Sequence, residues 1–238
     1  MKSFKDLSLK LNEPTKIEVM EQQERMPENV PEEILETVND NIPDYLINDP
    51  EVVGYHDDEQ QKNIYYIATS GKLSLDGTTS ILDLGCGRGD LYEFLKTYGV
   101  TYKYTGIDNT NTLILAGRTK YPDANLISAT YHNLDNLIEY KSDWVFNVGN
   151  LNLNYGYASA EFSKFDELAN LLEISMTVAN IGVTFVLLED NLGNESYISY
   201  PIHEVALLLK NRFPMYKYNI NYSEIANVYV LNVLTDTW

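Results

Sequence analysis

The sequence predicts an α/β fold, an open and mostly parallel sheet of seven strands with helices on both faces. Three observations predict it. The apolar run Ile81-Leu-Asp-Leu84 leads into glycines at 85, 87 and 89, then into a helical pattern carried by Leu91, Phe94 and Leu95. From Ser80 onward strand-like and helix-like stretches alternate, which implies crossover connections and parallel pairing. Near the end, two strand patterns are separated only by Tyr222 to Ala226, short enough for a hairpin.

Taken in order, the strands are expected at 80–84, 102–107, 125–127, 143–148, 181–188, 215–221 and 227–234. Helices are expected at 90–98, 111–119, 133–140, 161–178 and 202–210, with Gly99 as the stop of the first. The first strand is apolar enough to be buried on both faces. Ahead of the sheet, Asp57 to Ser70 carries Ile64, Tyr65, Ile67 and Ala68 as an apolar stripe. Asp57 or Asp58 can cap that helix and Gly71 can end it.

Residues 1–50 differ in character. They hold 12 acidic and 5 basic residues, and Pro14, Pro27, Pro31 and Pro43 break them into pieces. Short helices fit only at 20–26 and 31–39. The stretch reads as an acidic arm able to dock on a protein partner, and 51–238 as the folded domain.

Composition narrows the function. A net charge of −18 lacks the basic face that phosphate backbones require, so nucleic acid is disfavoured as the main partner. No apolar run spans a bilayer and the start has no secretory apolar core, so a cytoplasmic location is expected. The single cysteine, Cys86, excludes an internal disulfide. His56 beside Asp57 and Asp58 lacks the spacing of a metal site, and no metal is expected.

The glycine loop carries the chemistry. A dinucleotide fingerprint, G-x-G-x-x-G, would need a third glycine at position 90, which is Asp. The phosphate loop G-x-x-x-x-G-K-[ST] is absent, and the loop's one cation is Arg88. Bare glycines let the backbone come close to a ligand, and the helix start adds unpaired N–H groups. Asp83 ends the first strand where the loop opens; it repels phosphate and welcomes an ammonium or sulfonium. Asp108 ends the next strand, about 20 residues on, where a carboxylate accepts the hydroxyls of a ribose. The combination specifies a nucleoside with a cationic tail and no phosphate.

Asp83-Leu-Gly-Cys-Gly-Arg-Gly89, followed by helix, strand and Asp108, resembles motif I and its sequel in class I S-adenosylmethionine-dependent methyltransferases. The resemblance spans roughly Val52 to Leu234 and is nearest to uncharacterised bacterial and bacteriophage-encoded members, whose entry has a glycine-aromatic pair and a glutamine like Gly54-Tyr55 and Gln60. It implies a Rossmann-like sheet of seven strands with one antiparallel edge strand. It implies S-adenosylmethionine as cofactor, held by Asp83, Gly85, Cys86, Gly87, Gly89, Asp108 and Asn109, by Ala129 and Thr130 after the third strand, and by Asn147. Many relatives have an Asp where this chain has Thr130. Tyr55 and Gln60 are candidate pocket residues.

The loop after the fourth strand is where this class places substrate-side residues. Here it reads Val148-Gly-Asn-Leu-Asn-Leu-Asn-Tyr155, without the [DNS]-P-P-[YF] of amino methylation of nucleic-acid bases. The cysteine that ring methylation needs is already used in the glycine loop. Asn147, Asn150, Asn152 and Tyr155 are candidates to orient a polar nucleophile, with His132, Tyr131 and Glu189 as candidate bases. Two readings follow. One is methyl transfer to a small-molecule or protein substrate; the other is a methyltransferase fold used as a structural or assembly protein, such as a phage virion component, docked through residues 1–50.

Overall fold

Strand β1 (Ser80–Leu84) is the axis of the sheet, buried except at its first residue. The computed structural model describes residues 55–99, 102–130, 137–153, 163–190, 193–223, 225 and 227–235. Residues 1–50, and with them both helices expected in the acidic arm, lie outside the described residues.

Around β1 stand β2 (Lys103–Asp108), β3 (Asn125–Ser128), β4 (Ser142–Val148), β5 (Ala179–Leu188), β6 (Lys217–Tyr222) and β7 (Val228–Leu234). The order across the sheet is β3-β2-β1-β4-β5-β7-β6. β1 to β5 pair in parallel, and β7 runs antiparallel to both β5 and β6. The antiparallel strand therefore stands one place in from the edge. Its sequence explains why: Val228-Tyr-Val-Leu-Asn-Val-Leu234 is buried along its length, whereas Lys217-Tyr-Asn-Ile-Asn-Tyr222 is polar and exposed at alternate positions.

Five α-helices are seen among the described residues: α1 (Asp58–Thr69), α2 (Asp90–Lys96), α3 (Asn111–Lys120), α4 (Lys164–Val178) and α5 (Ile202–Arg212). Strand alternation sends neighbouring side chains to opposite faces. Ile81, Trp144 and Phe146 meet α1, α2 and α3 on one face. Leu82, Leu84 and Val145 meet α4 and α5 on the other.

Local signals set most boundaries. Asp57 caps α1 by accepting the Gln60 N–H at 2.7 Å, and Gln60 Oε1 accepts the His56 N–H at 2.7 Å. Gln60 thus serves as a helix cap and does not line the cleft described below, contrary to the expectation for it. Ser163 caps α4, so the helix begins at Lys164, later than the periodicity suggests. Of the helix expected at 133–140, only a 3-10 turn at Leu137–Tyr140 falls within the described residues.

Candidate functional site

In a sheet of this order the neighbours of β1 leave in opposite directions, and a crevice opens beyond the carboxyl ends of β1 and β4. A cleft of about 570 Å³, counted out to its solvent mouth, lies there. The glycine loop (Gly85, Cys86, Gly87) forms its floor, Asp83, Asp90 and Asp108 its charged side, Tyr55 and Tyr65 an aromatic wall, and Asn150 and Leu153 the rim after β4.

The glycine loop is tied down from below. Gly85 and Cys86 both donate their N–H groups to the Ile107 carbonyl, at 2.8 and 3.1 Å, and Gly89 donates to the Cys86 carbonyl at 2.9 Å. Gly87 donates to Asp108 Oδ2 at 2.8 Å. The amides of Gly85, Cys86, Gly87 and Gly89 are thus bonded within the protein. Glycine is required for two reasons. Residues 85, 87 and 89 have φ of 75°, 55° and 81°, a region that side chains disfavour. The space beside Gly85 is filled by the Asn150 side chain and that beside Gly89 by Leu126. Gly89 lies under the loop, at the start of α2, and does not line the cleft.

Asp108 is fixed by two backbone donors. Oδ2 accepts from Gly87, and Oδ1 accepts the Thr110 N–H at 2.8 Å, closing a turn two residues ahead. Burial still raises its carboxyl above the usual range, against the lowering effect of those two bonds. Asp83 is more isolated. It is 3% exposed and accepts a hydrogen bond from the Tyr104 hydroxyl to Oδ2 at 2.7 Å. Burial pushes its carboxyl up to about 7, with Asp108 adding to the rise and the Tyr104 bond opposing it.

Asp90 behaves differently although it faces the same cleft. Burial is the largest influence and raises its carboxyl, but Arg88, the Tyr121 hydroxyl and Lys120 together outweigh it and the net direction is down. Arg88 Nε and Nη2 reach Asp90 Oδ2 at 2.9 and 2.7 Å, and the Tyr121 hydroxyl donates to Oδ1 at 2.7 Å. The loop's cation is therefore paired and buried. Among the described residues none that lines the cleft is cationic.

The remaining candidates separate clearly. Asn109 is exposed and lines the cleft beside Asp108. Cys86 lines it too, with its thiol pushed well up by burial, which makes it unreactive. Ala129 donates its N–H to the Asp108 carbonyl at 3.0 Å, and it and Thr130 follow β3 outside the cleft lining. Asn147 is buried behind the loop: Nδ2 donates to the Leu84 carbonyl at 2.8 Å, and Oδ1 has no partner. Asn152 bridges the backbone of β5, donating to the Val186 carbonyl at 3.0 Å and accepting the Leu188 N–H at 3.1 Å. Neither asparagine lines the cleft; Asn150 does. His132, Tyr131 and Tyr155 lie outside the described residues.

Sequence reasoning missed Asp90 and Tyr65 as part of the lining, whereas Asn150 was among the candidates named to orient the nucleophile. Asp90 stood directly after the third glycine, but nothing local revealed its Arg88 partner. Tyr55 was anticipated: its hydroxyl donates to the Val148 carbonyl at 3.1 Å, and its ring meets Tyr65 edge-on at 5.8 Å.

No protein-family model matches the chain. Among curated proteins it is 29% identical over 125 residues to a trans-aconitate 2-methyltransferase of Rhodopseudomonas palustris (strain BisA53), covering 52% of this chain and 44% of the relative. A protein of the same name from Enterobacter sp. (strain 638) is 23% identical over 127 residues, covering 53% and 46%. The match thus spans less than half the length of these curated relatives. Among solved structures it is similar to magnesium protoporphyrin IX methyltransferase from Synechocystis PCC 6803 with bound SAH, at TM-score 0.53 and 12% identity, covering 80% of this chain and 96% of that one. The plantazolicin methyltransferase BpumL in complex with SAH gives TM-score 0.52 at 18% identity, covering 74% and 81%. In sequence and in architecture alike, the chain resembles the class I S-adenosylmethionine-dependent methyltransferases, and its fold is theirs.

Proposed function

We propose that the chain binds S-adenosylmethionine and transfers its methyl group to a small-molecule or protein substrate. One observation carries this reading: the cleft over the glycine loop is walled by Asp83, Asp90 and Asp108 and, among the described residues, has no cationic lining. A nucleotide's phosphate would be repelled there, whereas a nucleoside bearing ammonium and sulfonium groups complements the charge. Neighbours of this fold with bound SAH support it.

In this reading Asp108, fixed by Gly87 and Thr110, receives the ribose and Asn109 the adenine edge. Gly85, Cys86 and Gly87 form the floor, with Gly89 fixing the loop's exit. Asn147 sets the end of β4 against the loop. Ala129, bonded to the Asp108 carbonyl, and Thr130 support the adenine side from outside the cleft lining. The cofactor supplies a methyl group on a sulfonium, ready for in-line displacement. The protein contributes alignment and exclusion of water, for which the Tyr55–Tyr65 wall is suited. Asn150 stands where the acceptor would approach. The net charge of −18 fits a neutral or basic acceptor better than a nucleic acid.

The test is titration calorimetry with S-adenosylmethionine and S-adenosylhomocysteine. Binding of both, weakened on the order of tenfold to a hundredfold in Asp108→Ala, is the expected result. No heat with either at millimolar ligand overturns the reading and leaves the fold as a structural or assembly component.

A further inference from the structure

Asp83 and Tyr104 form a pair that the cofactor reading does not itself explain. Asp83 stands opposite Gly106 on β2 and Phe146 on β4, so no charged side chain flanks it across the strands. Tyr104 sits on β2, one alternation before Gly106, on the same face. Its hydroxyl reaches Asp83 only because position 106 is bare. A β-carbon there would lie 2.9 Å from that hydroxyl and 2.8 Å from Cys86 Sγ.

Every titratable group acting on Asp83 is neutral or negative in its usual state. Tyr104 and Asp108 face it from β2, Cys86 from the glycine loop, Tyr65 from α1 and Tyr55 from the segment just before α1. Asp90 at the start of α2 is engaged with Arg88. A carboxylate that is 3% exposed, bonded to one neutral hydroxyl and close to a second carboxylate, is more stable with a proton than without one.

This deepens the proposed cofactor reading and rests on it. We propose that Asp83 and Tyr104 are the charge-selective end of the cleft: Asp83 holds a proton until a ligand's cationic group replaces it, and Tyr104 is the positioning residue that keeps the carboxylate turned to that group. The exchange balances. The carboxyl O–H bond breaks, its proton leaves to solvent, and the carboxylate pairs with the ligand's ammonium. Binding of a cationic nucleoside is therefore proton-linked, while a nucleoside without the amino-acid tail leaves the proton in place. The cleft favours the charged ligand as pH rises and loses that preference in acid.

The test is calorimetry on the full chain at pH 6, in buffers of unlike ionisation enthalpy, with S-adenosylhomocysteine and with 5′-methylthioadenosine. At this pH the amino group of the first ligand is already protonated, so a released proton comes from the protein. The expected result is release of about one proton with S-adenosylhomocysteine and none with 5′-methylthioadenosine. Affinity for the first should fall about tenfold per pH unit below the titration, and that for the second should stay flat. Tyr104→Phe removes the bond that favours the carboxylate, so release should persist to higher pH; a merely structural tyrosine would not move that window. Asp83→Asn should bind S-adenosylhomocysteine more weakly and release no proton. S-adenosylhomocysteine binding without proton release, or release that survives Asp83→Asn, overturns this inference and leaves the cofactor reading intact. No binding of either ligand overturns both.

Discussion

The Asn150 side chain rests on the Cα of Gly85. A β-carbon at 85 would stand 2.5 Å from Asn150 Cβ and Cγ, where no real atom fits. The loop after β4 is thus seated directly on the loop after β1, and the two sides of the cleft share one contact. Gly85→Ala should displace Asn150 and add the strain of φ 75°, roughly 1–2 kcal/mol on its own. Cofactor heat should be lost or greatly reduced. Adding Asn150→Gly should recover the steric part and leave the backbone part, as read by denaturant midpoints of the two variants.

Arg88 and Asp90 are a buried ion pair, 2% and 9% exposed, with Oδ2 of Asp90 receiving two guanidinium bonds. Removing one partner strands the other's charge. Arg88→Met should cost about 3–5 kcal/mol in urea unfolding. Arg88→Met with Asp90→Asn should be milder, because no unpaired charge remains; equal losses would show that the charge is immaterial.

Asp83 should leave its mark on stability even without ligand. The fold raises its carboxyl from 3.8 to about 7, so the folded state binds the proton more tightly than the unfolded chain does. Its stabilising contribution is therefore complete below the lower value and is lost as pH rises through the upper one. Relative to Asp83→Asn, the native chain should lose stability by a few kcal/mol between pH 4 and 7. Thermal unfolding of both across that window checks it; parallel curves would sink it.

Asp108 uses both carboxylate oxygens as acceptors, from Gly87 and from Thr110. Asn offers one oxygen and one NH2 group, so Asp108→Asn must turn a donor toward a donor. Loss of cofactor affinity on the order of tenfold to a hundredfold is expected, with stability lowered by about 1–3 kcal/mol. Asp108→Glu, which keeps both acceptors but lengthens the arm, should not restore affinity.

Among the described residues two apolar clusters fill the two faces of the sheet. Deleting residues 1–50 should leave the unfolding midpoint and the cofactor heat of the remaining chain unchanged. If those residues dock a partner, only that association should disappear, as read by co-purification of the two forms.

Much of this was legible because its signals are local. Asp83, the three glycines, a helix pattern, a strand and Asp108 follow one another within about 25 residues, and each obeys a short-range rule. The inner place of β7 fits its composition, apolar except for Asn232, against the alternating polarity of β6. What periodicity could not carry was register across the sheet. The bond from Tyr104 to Asp83 depends on which β2 residue stands opposite which β1 residue, and on Gly106 being bare. The fates of Asn147, Asn150 and Asn152 depend on where a loop lies against two distant strands. Three like residues in one short segment therefore became a strand tie, a cleft wall and a backbone clamp. Spacing alone treats them as equal.

Tyr55 gives the cleft a mechanical property. It forms part of the aromatic wall, its ring meets Tyr65 edge-on, and its hydroxyl bonds the Val148 carbonyl at the end of β4. The wall is thereby hitched to the sheet itself, so any shift of that strand end would be handed on to the ring.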